Sequence, residues 1–206
     1  MILCYLSTNQ FHQKNLLFNF DMSTLKNRFS SKSNVLKFLK PKLKKSKIEK
    51  IFDFTVEEWN NNNTKIIFDI QKEFNNDTLI IRSSAIGEDS VENSNAGNYL
   101  SIQNIPSKSK IKLQTAINNI IKSYKKKLNL NDKNQILIQN QTSDIKISGV
   151  IFTKTFDLGA PYYVINYEEG PSTIGVTSGL VSNTIKLFRS TPSKLISTKW
   201  KKLIRR

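Results

Sequence analysis

The chain has 206 residues, with 32 Lys and Arg against 16 Asp and Glu, a formal net charge of +16. At 38% hydrophobic residues, with twelve Phe but only seven Gly and five Pro, it is long and apolar enough to bury a core. That composition excludes a disordered tail, a collagen-like repeat and a Pro-rich linker. The single cysteine, Cys4, excludes an internal disulfide and a multi-cysteine zinc site, and suits a reducing cytoplasmic compartment.

No apolar run approaches the ~18 residues needed to span a bilayer. Residues 1–11 lack the basic start of a signal peptide, and Lys14 and Asn15 interrupt the one apolar stretch that follows, so no leader and no membrane partner are expected. The basic residues are scattered through a chain rich in Lys, Asn and Ile, the products of A/T-rich codons. Only residues 40–50 (KPKLKKSKIEK) and 122–127 (KSYKKK) are dense. Each reads as the solvated face of a helix or as a surface for a polyanion or a membrane. No helix-turn-helix, RNP-type or zinc-finger pattern accompanies them, so no nucleic-acid partner is expected.

Residues 1–30 show no clean period and are read as an N-terminal extension, with Met22 as an alternative start. Apolar residues at Val35, Leu36, Phe38, Leu39 and Leu43 then fall at helical spacing, with Ser33 or Asn34 as N-cap and a break near Lys40 imposed by Pro41. Residues 51–56 (IFDFTV) alternate and read as a strand. Thr55 with Glu58 forms a capping-box pattern at the next helix. The asparagines 60–63 read as a loop before a further helix over 65–74. Residues 79–81 read as a buried strand that opens into a turn at Arg82-Ser83-Ser84-Ala85-Ile86-Gly87. Strand resumes at 99–102. Ile111, Leu113, Ile117, Ile120, Ile121, Tyr124 and Leu128 predict a helix over 109–128, and a loop follows over 129–134. Strands are predicted at 135–139, 149–153, 162–167, 174–177 and 184–188. Turns are expected at Asp157-Leu158-Gly159, Glu169-Gly170-Pro171 and Ser178-Gly179, and a last helix over 193–204. Helices followed by an antiparallel strand series predict an α+β fold.

His12 is the only histidine and lies in the least patterned segment, and Cys4 has no basic neighbour in sequence. The stretch from 79 to 97 carries more chemistry. A strand that delivers Arg82 into a small-residue turn sets a guanidinium beside free backbone N–H groups and hydroxyls, which is how a polyphosphate is held. Glu88 and Asp89 would orient the Arg or help hold a metal. Equally, the Arg is capped by its own Glu-Asp loop and binds nothing.

The sequence Arg82-Ser83-Ser84-Ala85-Ile86-Gly87-Glu88-Asp89, with Ser94-Asn95-Ala96-Gly97 after it, resembles the ATP-binding domain of the phosphoenolpyruvate synthase and pyruvate phosphate dikinase family. Its pattern there is approximately VRSSA-x-x-ED-x-x-x-x-S-x-AG. A second block, Ile136-Leu137-Ile138-Gln139 and then Ser148-Gly149-Val150-Ile151-Phe152-Thr153, is similar to that family's VLVQ and SGV-x-FT. The resemblance spans roughly residues 30–190. It implies an ATP-grasp fold over residues 31–206, with ATP between two α+β lobes and Mg²⁺ as the metal. Arg82 would contact the ATP phosphates. So would Lys32, which stands where the family has a GGK-like lysine, although the Gly-Gly is missing here. Gln139 and Gln141 would lie on the adenine side, where backbone groups read the base; Ser148 and Thr153 would be structural. The segment Pro161-Tyr162-Tyr163-Val164-Ile165-Asn166-Tyr167 with Thr177-Ser178-Gly179 resembles the branch that includes L-glutamine kinase.

Enzymes of this family pass phosphate from ATP to a carrier histidine and then to an acceptor such as glutamine or pyruvate. No carrier motif surrounds His12, no acceptor domain follows, and Glu168 and Glu169 do not match the family's later acidic segment. By this resemblance the ATP-grasp domain is incomplete at its C-terminus, with no catalytic or metal-binding residue of its own. Carrier and acceptor domains would come from another chain or would have been lost. Two other classes stand beside this one: a non-catalytic remnant that works as an interaction subunit, and a basic nucleic-acid binder.

Overall fold

The fold comes from a computed structural model that describes residues 2–3, 31–44, 46–86, 100–126, 131–155, 157–170, 183–198 and 200. The described residues form helices and two mainly antiparallel sheets, an α+β protein. The chain divides into two compact units, His12–Ser143 and Asp144–Arg206 with Met1–Phe11. A boundary at 143/144 therefore falls inside the 31–206 domain read from sequence. Ile2–Leu3 (β1), inside the expected N-terminal extension, belongs to the second unit's sheet.

In the first unit, helix α1 (Lys32–Leu39) precedes strand β2 (Ile51–Thr55), helix α2 (Val56–Phe74), strands β3 (Thr78–Ser84) and β4 (Ser101–Pro106), helix α3 (Lys110–Lys126) and strand β5 (Gln135–Asn140). The sheet order is β2-β5-β3-β4, and every pair is antiparallel. Alternation sends Phe54, Leu79, Ile81, Ile136 and Ile138 to one face. Against that face α2 lays Val56, Trp59, Ile66, Ile67, Ile70 and Phe74, and α3 lays Leu113, Ala116, Ile117, Ile120, Ile121 and Tyr124. Both rows follow the 3.6-residue helical period. The Phe54 and Trp59 rings stack with centroids 5.8 Å apart.

The capping box at α2 is present as its residues predict: the Glu58 amide donates to the Thr55 hydroxyl at 3.1 Å, and the Thr55 amide donates to the Glu58 carboxylate at 2.7 Å. The expected loop over 60–63 is instead a one-residue kink. Only Asn62 leaves helical geometry (φ −154°, ψ 66°), and its side chain accepts from the Lys65 amide at 3.1 Å. One asparagine thus acts as an internal N-cap, and α2 continues on both sides. The cap of α1 also differs. It is Ser31, whose hydroxyl accepts from the Asn34 amide and donates to Gln135, and not Ser33 or Asn34. Helix α1 stops at Leu39, and Pro41 sits in a 3₁₀ turn, Lys40–Lys42. Ile111, counted by its spacing among core residues of α3, is 77% exposed.

The second unit carries the sheet β1-β6-β7-β8, with β6 at Ile147–Phe152, β7 at Tyr162–Glu169 and β8 at Asn183–Phe188. Strand β1 pairs with β6 in parallel, and the others are antiparallel. Ile151, Val164 and Ile165 are buried along it. Gly149 on β6 lies opposite Tyr167, where a Cβ would come within 2.7 Å of the Asn166 carbonyl oxygen. The turn at 157–159 is formed, with Gly159 at φ +62°. Within the expected helix over 193–204, Ser193–Leu195 form a 3₁₀ turn that extended backbone at Ile196 ends, and Thr198 and Trp200 are helical; 199 and 201–204 lie outside the described residues. The strand expected at 174–177 and the turn at Ser178-Gly179 lie outside the described residues.

Candidate functional site

The first sheet has a second, polar face. In the observed register Ile80 lies opposite Gln139, Arg82 opposite Leu137 and Ser84 opposite Gln135, while Asp53 lies opposite Leu137 from the other side. Arg82, Ser84, Gln135, Gln139 and Asp53 therefore share one surface of the sheet, away from the core. Helix α1 docks on it through its first turn. The Ser33 amide donates to Ser84 Oγ at 2.9 Å, and Ser31 Oγ donates to Gln135 Oε1. Gln135 Nε2 donates to Asp53 Oδ2 at 3.2 Å, and the Lys37 ammonium pairs with Asp53 Oδ1. A carboxylate whose side chain is only 7% exposed is thus paired with a cation and an amide, which offsets the cost of burying it.

Arg82 lies on β3 itself, because the strand runs on through Ser84 where sequence predicted a turn. Its Nη1 reaches Gln139 Oε1 at 3.5 Å, the outer limit of a hydrogen bond, and its Nε is buried with no acceptor. No carboxylate among the described residues pairs with it. A half-buried guanidinium whose Nε meets no acceptor has the chemistry to receive an anion. Lys32 is the first residue of α1, beside Ser33, which bonds Ser84 two residues along β3 from Arg82. Lys32 has interactions of its own and is half-buried.

Gln139 is buried at 9% exposure on the central strand β5, directly beside the Arg82 fork. Gln141 is elsewhere. Its Oε1 accepts from the Asn104 amide at 2.7 Å and its Nε2 donates to Asn104 Oδ1 at 2.9 Å, beyond the far end of β5. The structure therefore brings together Arg82, Gln139 and the α1 terminus that bears Lys32, and leaves Gln141 out.

One expectation about the backbone is corrected. Of the N–H groups read as free around 82–87, three are in use: Ser83 N donates to Leu100 O (3.1 Å), Ser84 N to Tyr124 Oη (2.9 Å) and Ile86 N to Asn134 Oδ1 (3.0 Å). Small hydroxyl residues are here buried strand, not an open phosphate cradle. On the adenine side, the amides of Asn140 and Gln141 donate to the Lys50 and Thr78 carbonyls. His12, Cys4, Gly87, Glu88, Asp89 and 94–97 lie outside the described residues.

Sequence reasoning missed Asp53, Gln135, Tyr124 and Asn134. Tyr124, fully buried on α3, accepts from Ser84 N and donates to Gln135 O at 2.6 Å, which ties β3 to β5 from below. Asn134, also fully buried, accepts from Ile86 N through its side chain and from Val56 N through its carbonyl. An acid within an alternating apolar strand was the available signal for Asp53; Gln135, which faces Thr55 and meets Asp53 diagonally across β2 and β5, carried none.

The described residues contain no group of three His, Cys, Asp or Glu placed to hold a metal, and Asp53 is spent on Lys37 and Gln135. Glu88 and Asp89, the acidic pair offered by the sequence for a metal, lie outside the described residues, and no step is assigned to Mg²⁺. No helix among them is long and apolar enough to cross a membrane. No family model, no curated protein and no solved structure matches the chain.

Proposed function

We propose that the first unit is the ATP-binding part of a phosphotransferase of the phosphoenolpyruvate synthase type, with an ATP-grasp architecture. Phosphate would pass from ATP by way of a carrier histidine to an acceptor such as glutamine or pyruvate, with carrier and acceptor site supplied by another chain or domain. The observation that carries this reading is Arg82: a half-buried guanidinium on a central strand, its Nε without an acceptor, beside Gln139. Two further features support it. Strand β3, which bears the first family-like block, neighbours β5, which bears the Ile136–Gln139 part of the second, with Arg82 opposite Leu137. The helix that starts with Lys32 docks on the same face. In this role Arg82 forks onto phosphate oxygens, Gln139 orients the fork, and Lys32 adds charge from the α1 terminus.

The test is the melting temperature of the full chain with and without Mg²⁺–ATP, for wild type and Arg82→Ala. A ligand at a hundredfold excess over Kd stabilises the native state by about 2.7 kcal/mol. A rise in wild type that is absent in Arg82→Ala is expected. No rise in wild type, or an equal rise in both, would overturn the reading. The first of these would leave a folded, non-catalytic interaction subunit.

A further inference from the structure

Strand β4 is an edge strand, and α3 packs along it on the core side of the sheet. A bulge between Leu79 and Ile81 changes the register, so that Ile105 faces Leu79 and Ile102 faces Ile81. Ile102 and Ile105, three residues apart, thereby reach the same face, which an unbroken strand would not allow. Between them and α3 lies an open groove of about 180 Å³, walled on the helix side by Ile111, Lys112, Thr115 and Ala116. Its size is comparable with the ~150 Å³ engineered cavity that admits benzene. Ile111 stands on its rim, 77% exposed, at a position that spends apolar surface on water.

The charged side chain that lines the groove among the described residues is a lysine, Lys112. Residues 93–131 hold seven lysines and no Asp or Glu, in a protein that elsewhere pairs lysines with carboxylates, as at Lys37–Asp53, Lys47–Glu49 and Lys50–Glu73. Lys110 and Lys112 flank Ile111 and are exposed. Among the described residues the groove wall is aliphatic and polar, with no aromatic ring on which a base would stack, which disfavours a nucleic acid. It is also concave, where a membrane-binding face presents protruding apolar residues.

We propose that this groove docks an acidic polypeptide segment of a partner protein. The segment would seat an apolar side chain against Ile102, Ile105 and Ile111 and lay carboxylates on Lys110 and Lys112. The apolar contact supplies the affinity, and the lysines select for acid and speed the encounter. The site is separate from Arg82 and does not depend on the nucleotide reading.

The test uses the full chain and a short fluorescein-labelled peptide of glutamate pairs separated by single leucines, followed by fluorescence anisotropy. The comparison probes are an oligoglutamate, a single-stranded oligonucleotide and phosphatidylserine vesicles. Binding of the Glu–Leu peptide should weaken about tenfold in Ile111→Ser, the scale of one lost aliphatic contact. It should be abolished in the double variant Lys110→Glu, Lys112→Glu. Both positions are exposed, and an unchanged melting temperature checks that the variants fold. Oligoglutamate that binds equally well, or binding indifferent to Ile111→Ser, would overturn the proposal in favour of charge alone. Binding of the oligonucleotide or vesicles that requires Ile111, or no peptide binding at all, would overturn it too.

Discussion

Gln141 and Asn104 hold each other by two hydrogen bonds, one to the Asn104 backbone amide and one to its side-chain oxygen. Asn104 needs that support, because it stands at φ +60°, in left-handed geometry, within the bulged part of β4. The family resemblance places Gln141 near a base; the fold uses it to fix a bulge. Asn104→Gly should leave stability nearly unchanged, since glycine adopts this backbone freely. Asn104→Ala should cost about 1–2 kcal/mol. Gln141→Ala should cost about 1 kcal/mol, and less than that on top of Asn104→Ala, where the bond to the side chain is already lost and only the one from the backbone amide remains. Urea unfolding of the four proteins measures this.

Tyr124→Phe keeps the ring and removes one hydroxyl. The Ser84 N–H and the Gln135 carbonyl then lose a shared partner inside the core. The expected loss is about 1–3 kcal/mol, large for a single oxygen atom. A urea midpoint unchanged from wild type would show that water reaches the site.

Gly149→Ala should destabilise the second unit, since the new methyl would stand 2.7 Å from the Asn166 carbonyl oxygen in a paired strand. Overpacking of this kind costs about 1–3 kcal/mol. Tyr167, opposite Gly149, packs edge-on against Trp200 at 4.8 Å, so the intrinsic fluorescence of that tryptophan should report the disturbance.

Asp157 is exposed, and its carboxyl is held below the usual aspartate value of 3.8. The Leu158 amide contributes most, and the Thr155 side chain adds to it. A depressed native pKa means stability that is present above the unfolded value and is lost as pH falls through the native one. Asp157→Asn should therefore melt below wild type near neutral pH, with the gap closing in acid. A gap that is constant with pH would show that the ionised form is not what the turn prefers.

Thr55→Ala should cost about 0.5–2 kcal/mol, as at other N-caps. Here the prediction came from residue types alone. A hydroxyl before an apolar run and a glutamate three residues on have few other uses, so the α2 start was legible in the sequence. The alternation of β2 and the short apolar runs of β3 and β5 were legible as strands as well. What escaped was governed by partners distant in sequence. Ser83 and Ser84 look like turn residues until Tyr124 supplies a buried bond to one of them. Ser31 outcompetes Ser33 and Asn34 as a cap because Gln135, 104 residues away, takes its proton. Asparagines 60–63 look like a loop, but one of them suffices to cap the resumed helix. Within the candidate site, Arg82 was legible and its orphaned Nε was not, since only the register of three strands shows which groups the guanidinium fails to meet.

Strand β5 lies between β2 and β3, which are near in sequence yet never touch. Every bond that makes the first sheet more than the β3–β4 pair therefore awaits its last strand. Phe52 meets its neighbour only when Ile138 arrives. At ~5–20 residues per second, a ribosome leaves β2 and the far edge of β3 without partners for roughly 3–11 s after β3 is made. During that interval two open edges and the apolar row of α2 stand exposed on the nascent chain. Growth of this protein at high expression is thus a race between the emergence of residues 135–140 and the capture of those edges by a neighbouring copy.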